Sequence, residues 1–593
     1  MANGMSFNSA QAWVNKARSR RSFRAVILFM IATTLLSVCG MRLAYLQLIE
    51  GSHNRQLADQ NRIRSTPVVA DRGNVVDRKG NALAISKVSR AVYLYPREQT
   101  KEQWQKSADR ISQILNVPKE EIIKKLEQAK YRSVAPVRIL RGLDAKQYIA
   151  LNESEPIRGL EIQSESTRQY PYGTLAAHVL GYIGEANADE LKAHPEFPIG
   201  MLVGQMGVER IQDATLRGTW GNRLIEVDAG GKELKMLGVV PPVSGQSLQM
   251  TLDVKLQQAA EKALGDRRGA VVALDVKTGA VLVMASGPTF DPNIFTKKIS
   301  EKTWKALQSQ DNPFLNRALQ GYPPGSTFKI ITAAAAMKSG KFSPDSILPT
   351  YSAINIGGTL FHEHGDASYG SIGFREALTF SSNTFFYQLG MAIGPEAISN
   401  WGAKFGVGTA STMGLDGANH GVIPTREQKL KLYNEPWYAG DTVSMAIGQG
   451  VVQVTPLEMA VMVSTIANGG KRVKPHLFTN QTYQPNMQPE AIGLDSDIIK
   501  TIQSGLIGVV QEGTAQSLND GSIPQTAGKT GTAEVQGQPD NSLYVGYGPV
   551  NDPQIAIGVV VENGGFGATA AVPIAHEIYK AYFGAAKPTP KAQ

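Results

Sequence analysis

The sequence predicts an α+β chain held at a membrane by one N-terminal helix and carrying two further folded regions. Three observations lead there: an uncharged apolar run near the start, a Pro-rich break near residue 240, and strand-like runs at both ends of the second half. At about 100–200 residues per domain, the chain makes roughly three or four compact units. Its 42% hydrophobic content is that of folded protein rather than of a disordered chain. A single cysteine, Cys39, excludes an intramolecular disulfide framework and a Cys-based zinc finger.

The charge of +9 is unevenly spread. Lys16, Arg18, Arg20, Arg21 and Arg24 supply five of those units ahead of Ala25, in a segment without a single acid. The surplus left for the rest of the chain is too dilute for a nucleic-acid-binding stripe, so no nucleic-acid partner is expected. The run from Ala25 to Met41 carries no charge at all. Spanning the hydrocarbon takes about 17–25 residues, and snorkelling of Arg42 with Leu43, Tyr45 and Leu46 lengthens the span to residues 25–46. No small-residue cleavage site follows, which argues for an uncleaved anchor over a signal peptide. The positive flank puts residues 1–24 in the cytoplasm and everything past residue 46 across the membrane.

Residues 47–240 alternate short strand-like runs with charged helical segments. Glu102–Asn116 carries Trp104, Ala108, Ile111, Ile114 and Leu115 at helical spacing, and Lys119–Ala129 resumes that pattern with Ile122, Ile123 and Leu126 beyond Pro118. Gly238–Gly245 contains two prolines and reads as a linker. Beyond it Val254–Leu264 has amphipathic spacing, and Ala270–Leu274 with Ala280–Met284 reads as a hairpin closed by a turn ending in Gly279. Leu543–Tyr547 and Ile555–Val561 read as adjacent strands, so residues 248–583 form one α+β domain. Residues 584–593 read as a disordered tail.

The chemistry concentrates in three places. Tyr322-Pro323-Pro324-Gly325-Ser326-Thr327-Phe328-Lys329 opens an apolar helical run, so Ser326 sits at a helix start with Lys329 on its face. A serine needs a proton acceptor to become a nucleophile, and a partly desolvated lysine serves. Ser326 begins the only S-x-x-K in the chain. Ser381-Ser382-Asn383 comes next, and Lys529-Thr530-Gly531-Thr532 lies further downstream. On a strand beside a cleft, Gly531 lets a peptide backbone approach, while Lys529 with the Thr530 and Thr532 hydroxyls holds a carboxylate. Gly528-Lys529-Thr530 also resembles the end of a phosphate-binding loop, but that loop needs glycine at 523, where Ile523 stands. Two other triplets with a hydroxyl residue between lysine and glycine have plainer readings: Lys277-Thr278-Gly279 as a hairpin turn and Lys338-Ser339-Gly340 as a helix end.

S-x-x-K, S-x-N and K-T-G in this order resemble the penicillin-binding and serine β-lactamase superfamily. Arg72–Gly80, Arg168–Gly173, Ala177–Tyr182 and Gly204–Glu209 resemble the pedestal motifs of class B penicillin-binding proteins, and Glu435–Thr442 with Ile447–Gly450 are similar to the elongation branch, penicillin-binding protein 2. The resemblance implies an elongated mixed α/β pedestal of the dimerisation type below a transpeptidase domain with an antiparallel sheet and helices on both sides. It implies a peptidoglycan D,D-transpeptidase cross-linking stem peptides, with Ser326 as nucleophile, Lys329 as its base, and Ser381 with Lys529 passing a proton to the departing D-alanine. Asn383, Thr530, Gly531 and Thr532 would bind substrate, and the backbone N–H groups of Ser326 and Thr532 would form the oxyanion hole. β-Lactams would acylate Ser326, no cofactor is required, and the implied partner is a polytopic SEDS-type glycosyltransferase of the elongation machinery. The implied location is the bacterial inner membrane, with the C-terminal domain periplasmic.

Other readings compete. A β-lactamase or D,D-carboxypeptidase uses the same motifs; the pedestal and anchor argue against a free β-lactamase, which has little need of either. A septal transpeptidase, or a β-lactam sensor or scaffold without catalysis, is the remaining alternative. Phe361-His362-Glu363-His364-Gly365-Asp366 offers a zinc site if His362 and His364 share a strand face, against a polar loop beside the cleft. Lys341 to Gly373 does not align with the family. His178 reads as a packed or hydrogen-bonded pedestal residue, and Arg72, Asp77 and Arg78 as a solvated turn or a buried ion-pair network joining the two domains, the resemblance favouring the network.

Overall fold

The computed structural model describes residues 7–52 and 63–584, apart from 132, 134–135, 198–199, 228–232, 297–298, 300, 309–310, 410–412 and 418. The C-terminal tail expected to be disordered lies outside the described residues from position 585 on.

A helix over Phe7–Ala44 continues as a π-helical turn to Ile49. Its apolar part, Ala25–Ile49, is long enough to cross a membrane and runs past the Leu46 boundary that charge-counting gives, because Tyr45–Ile49 stays helical. The Thr33 and Thr34 hydroxyls donate back to Phe29 O and Met30 O at 2.8 Å, which satisfies them within the apolar run.

In the pedestal, Ala82–Leu94 is the organising strand, pairing antiparallel with both Leu160–Gln169 and Val137–Arg141. Lys101–Leu115 and Lys119–Ala129 are the two expected helices. The Thr100 capping box starts the first, and Asn116 in the left-handed region with Pro118 separates them. Their apolar stripe, Trp104 to Leu126, packs on Val92, Leu94 and Ile139 of the sheet. A three-stranded antiparallel sheet, Ile63–Val68, Gly221–Val227 and Glu233–Val240, completes this region.

The Pro-rich stretch is not a loose linker. Val239 and Val240 belong to a strand, Val243 exchanges two 2.8 Å backbone bonds with Thr219, and Gly245 N donates to Asp71 O. Once those backbone groups are paired, the prolines mark a turn against the pedestal rather than a tether. Leu248 and Gln249 add a parallel strand to Val75–Val76. Val75, Leu83 and Tyr170 share one core with Leu252, Val272 and Leu457, so pedestal and C-terminal domain meet through continuous apolar packing.

The C-terminal sheet runs Val281–Gly287, Gly269–Asp275, Ile555–Val561, Gln538–Gly548, Ala527–Val535, every neighbour antiparallel. Alternation divides it: Val271, Ala273, Ile557 and Val559 face the helices Val254–Leu264 and Ala571–Phe583, while Ala270, Val272 and Leu274 face Pro456–Ala467. The hairpin turn is closed by Asp275 Oδ1, which accepts from Lys277 N, Thr278 N and Thr278 Oγ1. That accounts for the first Lys-x-Gly triplet, and Lys338 does end a helix with Gly340 at φ 74°. The Lys529 segment is an edge strand of this sheet, the position a cleft requires.

Arg72 and its neighbours fulfil only part of the expected network. Arg72 bridges Glu209 (2.6 Å) and Asp213 (2.7 Å), and Arg168 binds the other Glu209 oxygen at 2.7 Å, all within the pedestal. Asp77 does join the domains, accepting from Val254 N at 3.1 Å, but it meets amides rather than an arginine. Arg78 contributes its backbone N–H to Leu252 O while its side chain is exposed, since Asp77 is already filled by Lys79 N, Asn81 N and the Asn81 side chain. His178 is buried against Phe290 with Nε2 2.7 Å from Pro313 O, and burial pushes its pKa down to about 4.

Candidate active site

Gly325–Phe328 forms a 3-10 turn that leads directly into the helix Lys329–Lys338. In a 3-10 turn residues i and i+3 stack, so Ser326 and Lys329 share a face, as expected. Two backbones pinch the turn. Gly325 has φ 52°, and a Cβ there would lie 2.5 Å from Thr532 O. On its other side Gly325 N donates to Gly448 O at 2.9 Å. Gln449 Nε2 donates to Thr532 O at 3.2 Å, closing a clamp between the nucleophile turn and the edge strand.

Ser326 is half-buried and Lys329 fully buried. The Lys329 ammonium does not donate to Ser326 Oγ here. Its bonds go to Ser381 O (2.7 Å), Asn383 Oδ1 (2.7 Å) and Ser381 Oγ (3.3 Å), with the Phe386 ring 5.5 Å away. The physical reason is that carbonyl and amide oxygens are stronger acceptors than a hydroxyl, and a three-donor ammonium in a dry site takes them first. Burial pushes the Lys329 pKa down to about 7, with the Glu363 carboxylate opposing. Such a lysine exchanges its proton near neutral pH.

Ser381 occupies the left-handed region at φ 61°, between the helix ending at Thr379 and the one beginning at Asn383. Ser382, not Ser381, caps the second helix, accepting from Phe385 N at 3.3 Å. Ser381 Oγ is thereby left facing Lys329.

Lys529 lies on the edge strand, fully buried, with Nζ donating to Thr530 O at 3.2 Å. Burial and then the Lys329 charge hold its pKa well below the ordinary value. Gly531 also allows a close approach of the serine turn. A Cβ there would meet Pro324 O at 2.9 Å and Thr327 Cγ2 at 3.0 Å, so its absence seats the strand on the serine turn. Thr530 Oγ1 is hydrogen-bonded to Thr514 Oγ1, and Thr532 Oγ1 accepts from Gly567 N at 3.4 Å.

The three motifs thus converge: Lys329 bonds the S-x-N turn, its charge reaches Lys529, and Gly325 touches Thr532. Sequence reasoning misses Thr514, Gln449 and Glu363. Nothing in the sequence marks Thr514, and Gln449 stands only inside the Ile447–Gly450 resemblance without a role; each acts through one side-chain hydrogen bond. Glu363 has a signal: if His362 and His364 turn outward, strand alternation turns Glu363 inward. The two histidines are exposed and diverge, His362 Nδ1 pairing with Asp366 at 2.8 Å and His364 contacting the Phe566 ring. Among the described residues no group of three or more His, Cys, Asp or Glu is placed to hold a metal ion.

Comparison with known proteins agrees with this geometry. Residues 269–580 match the family model of the penicillin binding protein transpeptidase domain, and 67–250 that of the penicillin-binding protein dimerisation domain. The peptidoglycan D,D-transpeptidase MrdA of Acinetobacter baumannii is 32% identical over 595 residues, covering 93% of this chain and 87% of its own length. MrdA of Escherichia coli K12 is 30% identical, covering 92% and 91%. Among solved structures, penicillin-binding protein 2 of Helicobacter pylori in complex with MreC superposes with a TM-score of 0.78 at 28% identity, covering 88% of this chain and 98% of that one. A chain of a peptidoglycan synthase complex gives 0.72 at 30% identity, covering 96% and 100%. Fold and site therefore define a class B penicillin-binding protein, with a dimerisation-type pedestal below a transpeptidase domain. Within that family the chain belongs to the penicillin-binding protein 2 branch, the elongation type.

Proposed function

We propose that the chain is a serine-type peptidoglycan D,D-transpeptidase that cross-links stem peptides during wall elongation and is acylated by β-lactams. The observation that carries this reading is Lys329: a fully buried ammonium with its pKa pushed down to about 7, one 3-10 turn from Ser326 and bonded to Ser381 and Asn383. In its neutral form Lys329 accepts the Ser326 proton as Oγ attacks the carbonyl between the two terminal D-alanines. The N–H groups of Ser326 and Thr532 stabilise the oxyanion. As the C–N bond breaks, the proton passes through Ser381 to the departing D-alanine amine, assisted by Lys529. Asn383 bonds the amide of the donor stem, and Thr530 and Thr532 hold its terminal carboxylate. The amine of a neighbouring stem then attacks the acyl-enzyme, forms the new amide bond and releases Ser326.

The apolar Ala25–Ile49 helix supports a single-pass anchor in the inner membrane, with the domains on the periplasmic side. Likeness to a protein solved with MreC and to a chain of a peptidoglycan synthase complex supports a place in an elongation assembly beside a SEDS-type glycosyltransferase.

Mass spectrometry of the tryptic digest after penicillin treatment tests the assignment. The adduct is expected on the peptide carrying Ser326 and absent from Ser326→Ala. An adduct elsewhere, or labelling that survives this substitution, contradicts it. A long-lived adduct separates a transpeptidase from a β-lactamase, which would hydrolyse it within the assay.

A further inference from the structure

Glu363 lies in the stretch that no motif covers, at the end of the hairpin Ala353–Ile356 and Thr359–His362. It is 3% exposed, and its two oxygens accept five hydrogen bonds. Oε2 accepts from Ser382 Oγ (2.7 Å), Thr384 N (3.0 Å) and Thr384 Oγ1 (3.0 Å); Oε1 accepts from Asn383 N (2.5 Å) and His364 N (3.1 Å). All but the last of these donors belong to Ser382, Asn383 and Thr384, directly after Ser381. The carboxylate also meets the positive end of the helix Asn383–Ile393, where an anion is favoured.

Backbone bonds close only the helix side of this turn, Ser382 N donating to Ala377 O (3.0 Å) and Ser381 N to Leu378 O (3.3 Å); Glu363 holds the side that leads into the next helix. Ser381 is a non-glycine residue at φ 61°, a conformation that persists only when its surroundings fix it. That conformation aims Ser381 Oγ, and the following turn aims Asn383 Oδ1, at Lys329 Nζ. A second tie runs the same way: Tyr387 OH donates to His362 O at 3.2 Å, fastening the hairpin to the same helix.

We infer that Glu363 is a positioning residue for acyl transfer, its buried carboxylate holding the Ser381–Thr384 turn so that Ser381 and Asn383 meet Lys329. This rests on the proposed Ser326 acylation and adds a residue outside the three motifs. The charged and titratable groups concerned are Lys329, whose pKa the Glu363 charge raises, Lys529 beyond it, and Tyr369 and Tyr387, which burial and then the Glu363 charge hold in their neutral form.

The test is the rate constant for acylation by a fluorescent penicillin from pH 5 to 9, with thermal melting, for the full chain and for Glu363→Gln and Glu363→Asp. Glu363→Gln keeps the size but removes the charge and turns one acceptor into a donor facing donors. Its acylation is expected to fall about 10–100-fold, the loss that a misplaced catalytic group causes. Its acid-side inflexion should move to lower pH, and Glu363→Asp should lie between it and the parent. Parent-like rate and inflexion in folded Glu363→Gln overturn the inference, as does a slower rate with an unmoved inflexion and a lowered Tm, which marks packing alone. If Glu363→Gln does not fold, Glu363→Asp decides: slowed acylation supports the role, and an unchanged rate overturns it. Failure of the parent chain itself to be acylated counts against Ser326 instead.

Discussion

The pedestal and the catalytic site both bury cations, and they treat them in opposite ways. In the pedestal, Arg72 and Arg168 converge on Glu209, which is 1% exposed; burial pushes its carboxyl up, but the two guanidinium charges outweigh burial and hold it below the usual range. In the catalytic domain, Lys329 and Lys529 are equally buried, yet neither forms an ion pair among the described residues. The Lys329 ammonium meets a carbonyl, an amide oxygen and a hydroxyl, with the Glu363 carboxylate behind them. Paired charges make a clamp whose ionisation is fixed across the physiological range. Left unpaired, Lys329 loses its proton near neutral pH, at a cost in stability.

The largest expected effect on that contrast is Lys329→Met. Acylation by penicillin should fall by at least about a thousandfold, as when one member of a catalytic unit is removed. Stability should nevertheless rise, by about 1–3 kcal/mol at pH 7 after allowance for the lost hydrogen bonds. The sign follows from linkage: with Lys329 near 7 when folded and 10.5 when unfolded, the unfolded chain binds more protons between those values. The lysine's penalty therefore shrinks as pH rises through that window, and the Tm advantage of Lys329→Met should narrow toward pH 10. A chain destabilised by Lys329→Met would break the comparison.

Glu209→Gln should do the reverse. Leaving two arginines without their anion costs about 3–5 kcal/mol. The acylation rate of the folded fraction should be unchanged, because Glu209 touches no part of the site. Denaturant unfolding with active-site titration reads both quantities. The smallest effect expected is that of Thr514→Val, which removes one partner of the Thr530 hydroxyl. It should weaken β-lactam acylation a few-fold, about 0.5–1.5 kcal/mol in transition-state terms, through loss of one hydrogen bond.

The same contrast shows what is legible in the sequence and what is not. Periodicity and short apolar runs locate the pedestal helices and four of the five strands of the catalytic sheet, because each helix buries a stripe and each strand a face or both faces. Lys119–Ala129 and Val254–Leu264 fall where that spacing puts them. Gly238–Gly245 misleads because proline content signals a turn equally well whether the turn is free or packed. At the site, the motif residues are legible as Ser326, Lys329, Ser381, Asn383 and Lys529, and their convergence is a tertiary fact that only the structure supplies. The direction of the Lys329 hydrogen bonds is not legible, since spacing says which residues share a face and not which acceptor is stronger. Alternation hints that Glu363 turns inward, but its role stays hidden because it lies in donors gathered from His364 next to it and from Ser382, Asn383 and Thr384 on another element.

The account stands or falls on an ammonium that a dry, unpaired setting leaves ready to give up its proton beside Ser326. Its most direct test is the second-order rate constant for penicillin acylation of the full-length protein between pH 5 and 9. The rate should climb about tenfold per unit on the acid side, where neutral Lys329 is scarce, and level off above an inflexion near 7. A rate that is flat across the range, or still climbing toward an inflexion near 10.5, would contradict it.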